Sequence, residues 1–261
     1  MPEVIQELTG LQNQKLTQVP PSAIRAFDNE ISAVDGIIKL TLGEPDFTTP
    51  EHVKEAAIKS IQDDDSHYAP SAGKPELRQA IAKVLKKTRG VDYDWASEVT
   101  VTVGATEALT ATTFGLLNPG DKVLVPTPVF SLYFPIISLT GAIPVMVNTA
   151  DEGFVLTPQR LETVLKEEGP AVKAILLNYP SNPTGRSYGA ELIDQLAKVL
   201  QEHHLLVIAD EIYSDLVYDQ EHASLATRLP EQTILISGLS KSHAMTGYRL
   251  GRSEEHTSEL Q

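Results

Sequence analysis

The stretch VKAILLNYPSNPTGRSYGAELIDQLAKVLQEHHLLVIADEIY, Val172 to Tyr213, decides the fold. It opens with a short apolar run, Val172–Asn178, and closes with a second, Leu205–Ala209. Between them, Ala190–His203 carries Leu192, Ile193, Leu196, Val199 and Leu200 as an apolar stripe at helical spacing. Near-continuous apolar strands joined through a helix are the pattern of parallel strands buried on both faces, because a parallel connection must cross over the sheet. The same alternation extends outward in both directions. Apolar runs recur at Val99–Val103, Lys122–Pro126, Ile143–Asn148 and Thr233–Ser237, with helical patterns at Glu51–Gln62, from Pro75, and at Thr106–Leu117 and Thr157–Glu168. The spacing predicts an α/β fold, a mostly parallel central sheet with helices on both faces. An additional strand-like run is expected at Ile37–Leu42, ahead of the turn-rich Gly43-Glu44-Pro45-Asp46.

Composition narrows the function. The 261 residues hold 21 Lys and Arg against 35 Asp and Glu, a formal charge of −14. Such a field repels phosphate polymers, which argues against nucleic acid or an anionic membrane as partner. It leaves room for one phosphorylated cofactor in a local positive niche. The absence of cysteine removes disulfides, thiolate metal sites and cysteine nucleophiles together. Residues 1–10 lack the basic and apolar regions of a secretory signal. Val123–Ala150 has no charged residue, but Pro126, Pro128, Pro135 and Pro144 interrupt it and disfavour a membrane helix. A cytoplasmic soluble protein with no metal site is expected.

In parallel sheets ligands bind beyond the carboxyl ends of the strands, and four post-strand segments carry chemistry. Gly104-Ala105-Thr106-Glu107 opens a helix whose free amides can hold an anion; a plain helix start with Thr106 as N-cap is the bland alternative. Asn178-Tyr179-Pro180-Ser181-Asn182-Pro183-Thr184-Gly185 fixes polar amides in proline-locked turns. Asp210 ends a buried strand and needs a cation or strong hydrogen bonds. An ATPase would use Asp210-Glu211 for magnesium, but no phosphate-binding Gly-x-x-x-x-Gly-Lys-Ser/Thr loop exists; Gly73-Lys74 is followed by Pro75. Last, Gly238-Leu239-Ser240-Lys241-Ser242 lacks the second glycine of a hydrolase nucleophile elbow. What remains is Lys241 just past a strand, with Arg249 eight residues on to clamp a phosphate.

Together these segments resemble the class I/II aminotransferases that use pyridoxal 5′-phosphate, and look most similar to the bacterial aromatic and N-acetyl-diaminopimelate aminotransferases. The resemblance runs from Ile38 to Gly251 and includes Leu42-Gly43-Glu44-Pro45-Asp46-Phe47 and His67-Tyr68-Ala69-Pro70-Ser71-Ala72-Gly73. It implies transfer of an amino group between an L-amino acid and a 2-oxo acid through a Lys241 Schiff base, within amino-acid metabolism and biosynthesis. Lys241, Asp210 and Tyr213 are the implied catalytic residues: Lys241 carries the cofactor and shuttles a proton, and Asp210 keeps the pyridine nitrogen protonated. Tyr213 and Asn182 would bond the ring's 3′-oxygen. Gly104, Ala105, Thr106, Ser240 and Arg249 would hold the phosphate, Phe130 would stack on the ring, and Gly43 with Asn182 would meet the substrate. Tyr68 would reach the phosphate across a dimer interface, which implies a homodimer. Two departures stand out: Phe130-Ser131 where relatives often have Tyr-Pro, and Gly238 where many have a phosphate-binding serine.

The same resemblance divides the chain into an N-terminal arm and small-domain segment at 1–47, an incomplete cofactor-binding large domain at 48–252, and a non-native tail at 253–261. On this division the chain is C-terminally truncated and lacks the small C-terminal domain. Two alternatives follow: a catalytically inactive fragment or cofactor-binding module, and a pyridoxal-phosphate-dependent C–S lyase on the same scaffold.

Overall fold

A computed structural model describes residues 21–256, with Leu11, Asn13, Lys15, Leu16 and Val19 ahead of them. Seven strands and seven helices run in the order α1 (Ala23–Ile31), α2 (Glu51–Gln62), α3 (Pro75–Arg89), β1 (Val99–Val103), α4 (Gly104–Leu116), β2 (Lys122–Thr127), α5 (Tyr133–Thr140), β3 (Ile143–Asn148), α6 (Pro158–Glu168), β4 (Val172–Asn178), α7 (Ala190–Glu202), β5 (Leu206–Asp210), β6 (Thr233–Gly238) and β7 (Leu250–Glu254). They form one sheet of order β1-β7-β6-β5-β4-β2-β3. The pairs β2/β3, β2/β4, β4/β5 and β5/β6 are parallel, and only β7 runs antiparallel, between β1 and β6.

Alternation along each strand builds two apolar layers. Ile175, Leu177, Val207, Ala209 and Leu235 face one side, where they meet Leu85 of α3, Leu161 and Leu165 of α6, and Ile193, Leu196 and Leu200 of α7. Ala174, Leu176, Ile208, Ile234 and Ile236 face the other, against Ala108 and Leu109 of α4 and Ile136 and Ile137 of α5. Helix starts follow their caps: Thr157 Oγ1 accepts from Arg160 N at 3.1 Å ahead of Pro158, and α3 opens on Pro75, whose missing N–H costs nothing at that position.

The structure departs from the sequence expectations at three places. Ile37–Leu42 forms no strand; Ile38 and Leu40 are exposed and pair with nothing in the sheet. Helix α4 begins at Gly104, so Thr106 lies in its first turn and is not the cap; Glu107 instead turns back to accept from the Val103 amide. Strand β7 was not anticipated, because Leu-Gly-Arg-Ser-Glu has neither an apolar run nor alternation. Ser253 and Glu254, inside the expected tail, continue that strand, and Glu254 is completely buried beside Arg252 at 2.6 Å.

Because β7 is antiparallel, its first residues sit at the same end of the sheet as the last residues of β1 and β6: Gly251 lies opposite both Thr102 and Gly238. That reversal brings Arg249 to the edge where the parallel strands deliver Asn178, Asp210 and Gly238.

Candidate active site

Asp210 ends β5 with only 4% of its surface exposed. Its Oδ2 accepts from the Tyr133 hydroxyl at 2.6 Å and its Oδ1 from the Ile212 amide at 3.1 Å. Among the described residues no lysine, arginine or histidine lies within ion-pair distance of it. Burial therefore pushes its pKa up to about 6, and the Glu211 charge adds to the rise, while the two hydrogen bonds hold it from going further. The strand behind it is fixed by Asn178, whose Nδ2 donates to the Asp210 carbonyl at 3.0 Å. A buried acid held by neutral donors and lacking a cation is poised to receive a protonated nitrogen.

Lys241 stands in the turn after β6. Its Nζ donates to the Gly43 carbonyl at 2.5 Å and lies 5.8 Å from the centre of the Tyr213 ring. Burial lowers the lysine's pKa; the Glu44 carboxylate opposes this and the Arg249 charge adds to it. The net depression raises the neutral, nucleophilic fraction of the amine. The arm carrying Gly43 is fastened to the same loop twice more. Thr246 Oγ1 donates to Glu44 Oε1 at 2.5 Å, and Thr49 Oγ1 donates to the Ala244 carbonyl at 2.7 Å.

Asn182 reaches this region through its loop. Its backbone amide donates to Asn178 Oδ1 at 2.7 Å, and its Nδ2 lies 3.4 Å from the Tyr213 hydroxyl. Burial and the Asp210 charge raise the Tyr213 pKa, with the Asn182 contact pulling it back.

A niche for an anion forms where α4 meets β7. Gly104 has φ +76°, and a Cβ there would come within 2.2 Å of Arg249 Nη2. A Cβ on Gly251 would lie 2.1 Å from the Gly104 carbonyl carbon. Glycine at both positions lets the helix N-terminus, with the amides of Ala105 and Thr106 in its first turn, approach the guanidinium. Arg249 itself adopts φ 54° and donates Nη1 to the Thr246 carbonyl at 3.0 Å. Ser240 is buried nearby in sequence, in the turn leading to Lys241. Gly238 explains its own departure from the family pattern: a Cβ would meet the Leu250 carbonyl oxygen at 2.6 Å, so a serine does not fit this backbone.

The structure thus brings Gly43, Asn182, Tyr213, Lys241 and Arg249 to one end of the sheet, with Gly104 packed on Arg249 and Asp210 linked through Tyr133 to Phe130. The Phe130 and Tyr133 rings meet edge to face, with centroids 5.7 Å apart and planes at 88°. Tyr68 stands apart, fully exposed and without a hydrogen bond among the described residues.

Sequence reasoning missed two features. Tyr133 sits in an uncharged segment that reads as packing, and nothing local says that its hydroxyl meets Asp210. Glu211 is the other. Fully buried, it accepts from Tyr179 Oη at 3.0 Å and Ser224 Oγ at 2.6 Å, contacts His222 Nε2 at 2.8 Å, and pairs with Arg89. Burial would raise its pKa, but His222, the Arg89 charge and the Ser224 hydroxyl hold it below the usual value. The only local signal was an ionisable residue directly after a buried strand.

Comparison with known proteins gives the class. A sequence profile described as aminotransferase class I and II matches residues 35–252, and the chain belongs to that family. It is 46% identical over 241 residues to a protein of Bacillus subtilis (strain 168) named a probable N-acetyl-LL-diaminopimelate aminotransferase, covering 92% of this chain and 61% of that one. An aspartate aminotransferase of Geobacillus stearothermophilus is 40% identical over 247 residues, covering 91% and 62%. Among solved structures, the aspartate aminotransferase from Thermus thermophilus with maleate superposes with a TM-score of 0.90 at 37% identity, covering 95% of this chain and 65% of that one. The fold is aspartate-aminotransferase-like, and the chain spans somewhat under two thirds of the length of these relatives.

Proposed function

We propose that this chain provides the cofactor site of a pyridoxal-phosphate-dependent aminotransferase that moves an amino group between an L-amino acid and a 2-oxo acid. The observation that carries this is the cluster at one end of the sheet: Asp210, buried on the Tyr133 hydroxyl with no cation beside it among the described residues, and Lys241, whose Nζ lies 5.8 Å from the centre of the Tyr213 ring. When bound, pyridoxal phosphate supplies an aldehyde carbon that condenses with amines and a protonated ring that withdraws electrons from the neighbouring carbon. The residues fit such a group: Asp210 lacks the cation that a pyridinium nitrogen offers, and the Gly104–Arg249 niche suits a phosphate.

Asp210 would keep the ring nitrogen protonated, and Phe130 would bound one ring face. Arg249, Ser240 and the amides of Gly104, Ala105 and Thr106 would hold the phosphate. Lys241 Nζ would hold the cofactor and, as a free amine, would be the base that moves the proton at the substrate's Cα. Tyr213 and Asn182 would donate hydrogen bonds to the ring oxygen, and Gly43, freed from Lys241, would face the substrate. The homodimer, with Tyr68 completing the partner's phosphate site, and a cytoplasmic place in amino-acid biosynthesis belong to the same proposal. No helix among the described residues is long and apolar enough to cross a membrane.

The test is spectroscopic. The purified chain titrated with pyridoxal phosphate is expected to develop a visible band that Lys241→Ala lacks and that amino donors bleach. A band independent of Lys241 would overturn the assignment. Release of thiol, ammonia and pyruvate from a sulfur amino acid, in place of transfer of its amino group to an acceptor 2-oxo acid, would favour a lyase.

A further inference from the structure

Tyr133 touches two parts of the site that the reaction needs in fixed relation. As the first residue of α5 it is 1% exposed, with its hydroxyl on Asp210 Oδ2 at 2.6 Å and its ring edge-on to Phe130. We propose that Tyr133 is a positioning residue: its hydroxyl fixes the Asp210 carboxylate against the cofactor's ring nitrogen while its ring supports Phe130, the stacking surface. This rests on the pyridoxal-phosphate assignment above.

Three observations favour this over simple packing. A phenylalanine would fill the same space, and a buried hydroxyl costs stability unless it is bonded; among the described residues the only partner of this one is Asp210. The direction of the bond is also fixed. Burial and the Asp210 charge drive the Tyr133 pKa well above its usual value, so the phenol keeps its proton and donates. Finally, the bond takes one lone pair of Oδ2, and Ile212 N takes one of Oδ1. The carboxylate is held at both oxygens and keeps lone pairs free for the nitrogen.

The charged and titratable groups acting on Asp210 are few. Glu211 raises its pKa and Tyr133 lowers it; Tyr213 is a third ionisable neighbour, whose own pKa the Asp210 charge raises. With no cation among the described residues beside it, the Tyr133 hydroxyl is the side-chain donor that keeps Asp210 ionised near neutral pH.

The test compares Tyr133→Phe with the parent chain in two states. In the cofactor-free protein, the Asp210 carboxyl is followed by carbon NMR across pH, with Asp210→Asn assigning the resonance. Loss of a hydrogen bond to a charged group is expected to move its midpoint up by about one pH unit or more. Tyr188→Phe, which removes a buried hydroxyl that accepts from the Leu156 amide, should leave the midpoint in place. In the loaded protein, Tyr133→Phe should weaken cofactor binding roughly tenfold or more. Should Tyr133→Phe not fold, 3,5-difluorotyrosine placed at 133 supplies a stronger donor in an intact core and should move the midpoint down. An unmoved Asp210 midpoint in these proteins overturns the proposal. Failure of the cofactor assignment looks different: the parent chain shows no Lys241-dependent band, while the carboxyl midpoint still responds to position 133.

Discussion

Replacing Asp210 by Asn is expected to stabilise the cofactor-free protein while removing its chemistry. The carboxyl is raised from an ordinary 3.8 to about 6 in the folded chain. Folding therefore binds a proton between those values, and stability falls as pH rises through that window. The difference of about 2 pH units corresponds to ~3 kcal/mol lost by the parent above pH 6. Asn carries no charge and escapes that loss. It cannot accept from both Tyr133 Oη and Ile212 N as the carboxylate does, however, which costs about 1 kcal/mol. A net gain of ~2 kcal/mol at pH 7.5 is expected, shrinking and then reversing towards pH 4. Urea unfolding at a series of pH values measures this directly, through midpoints at constant m. Glu254 and Glu255 also have raised pKa values, so they tilt both profiles alike and cancel in the difference. A variant less stable than the parent at pH 7.5, or a difference that ignores pH, would refute the picture of a buried acid waiting for a cation.

Other substitutions probe the surrounding framework. Glu211→Ala strands Arg89 in the interior and is expected to cost about 3–5 kcal/mol, read as a lowered urea midpoint. Gly251→Ala places a methyl 2.1 Å from the Gly104 carbonyl carbon, so both stability and pyridoxal-phosphate binding should fall, the latter by tenfold or more as titrated spectroscopically. Leu176→Ala opens a cavity under β4 and should cost ~2–5 kcal/mol in the same unfolding assay, without shifting the pH at which Asp210 titrates. Asn182→Ala removes the contact that opposes the rise at Tyr213, so ultraviolet titration should find the phenol ionising at higher pH than in the parent.

The parallel core was legible because its signal is redundant. Val172–Asn178 and Leu205–Ala209 are buried on both faces, and each announces itself without help from a neighbour. Strand β7 was illegible for the converse reason: Leu250–Glu254 is a strand only because β1 and β6 leave a slot between them, and glycine at 251 is required by that slot. The same contrast holds in the site. Lys241, Asp210, Asn182 and Arg249 lie at strand ends, where topology concentrates chemistry. The bond from Tyr133 to Asp210 spans 77 residues, and that from Tyr179 to Glu211 spans 32, both set by packing between elements. Ile37–Leu42 shows the opposite error, since an apolar run with no partner strand stays irregular.

The grip of Gly43, Glu44 and Thr49 on Lys241, Thr246 and Ala244 has a consequence for how occupancy could be sensed at a distance. The amine that binds a carbonyl compound is the same amine that tethers the arm, so the two events compete for one group. Any molecule that claims Lys241 removes one of these three hydrogen bonds and, by mass action, shifts the segment around Gly43 towards release. Protease cleavage within residues 32–50 would then act as a gauge of how much lysine is engaged. The coupling is reciprocal: an arm bound more tightly would make the lysine harder to capture.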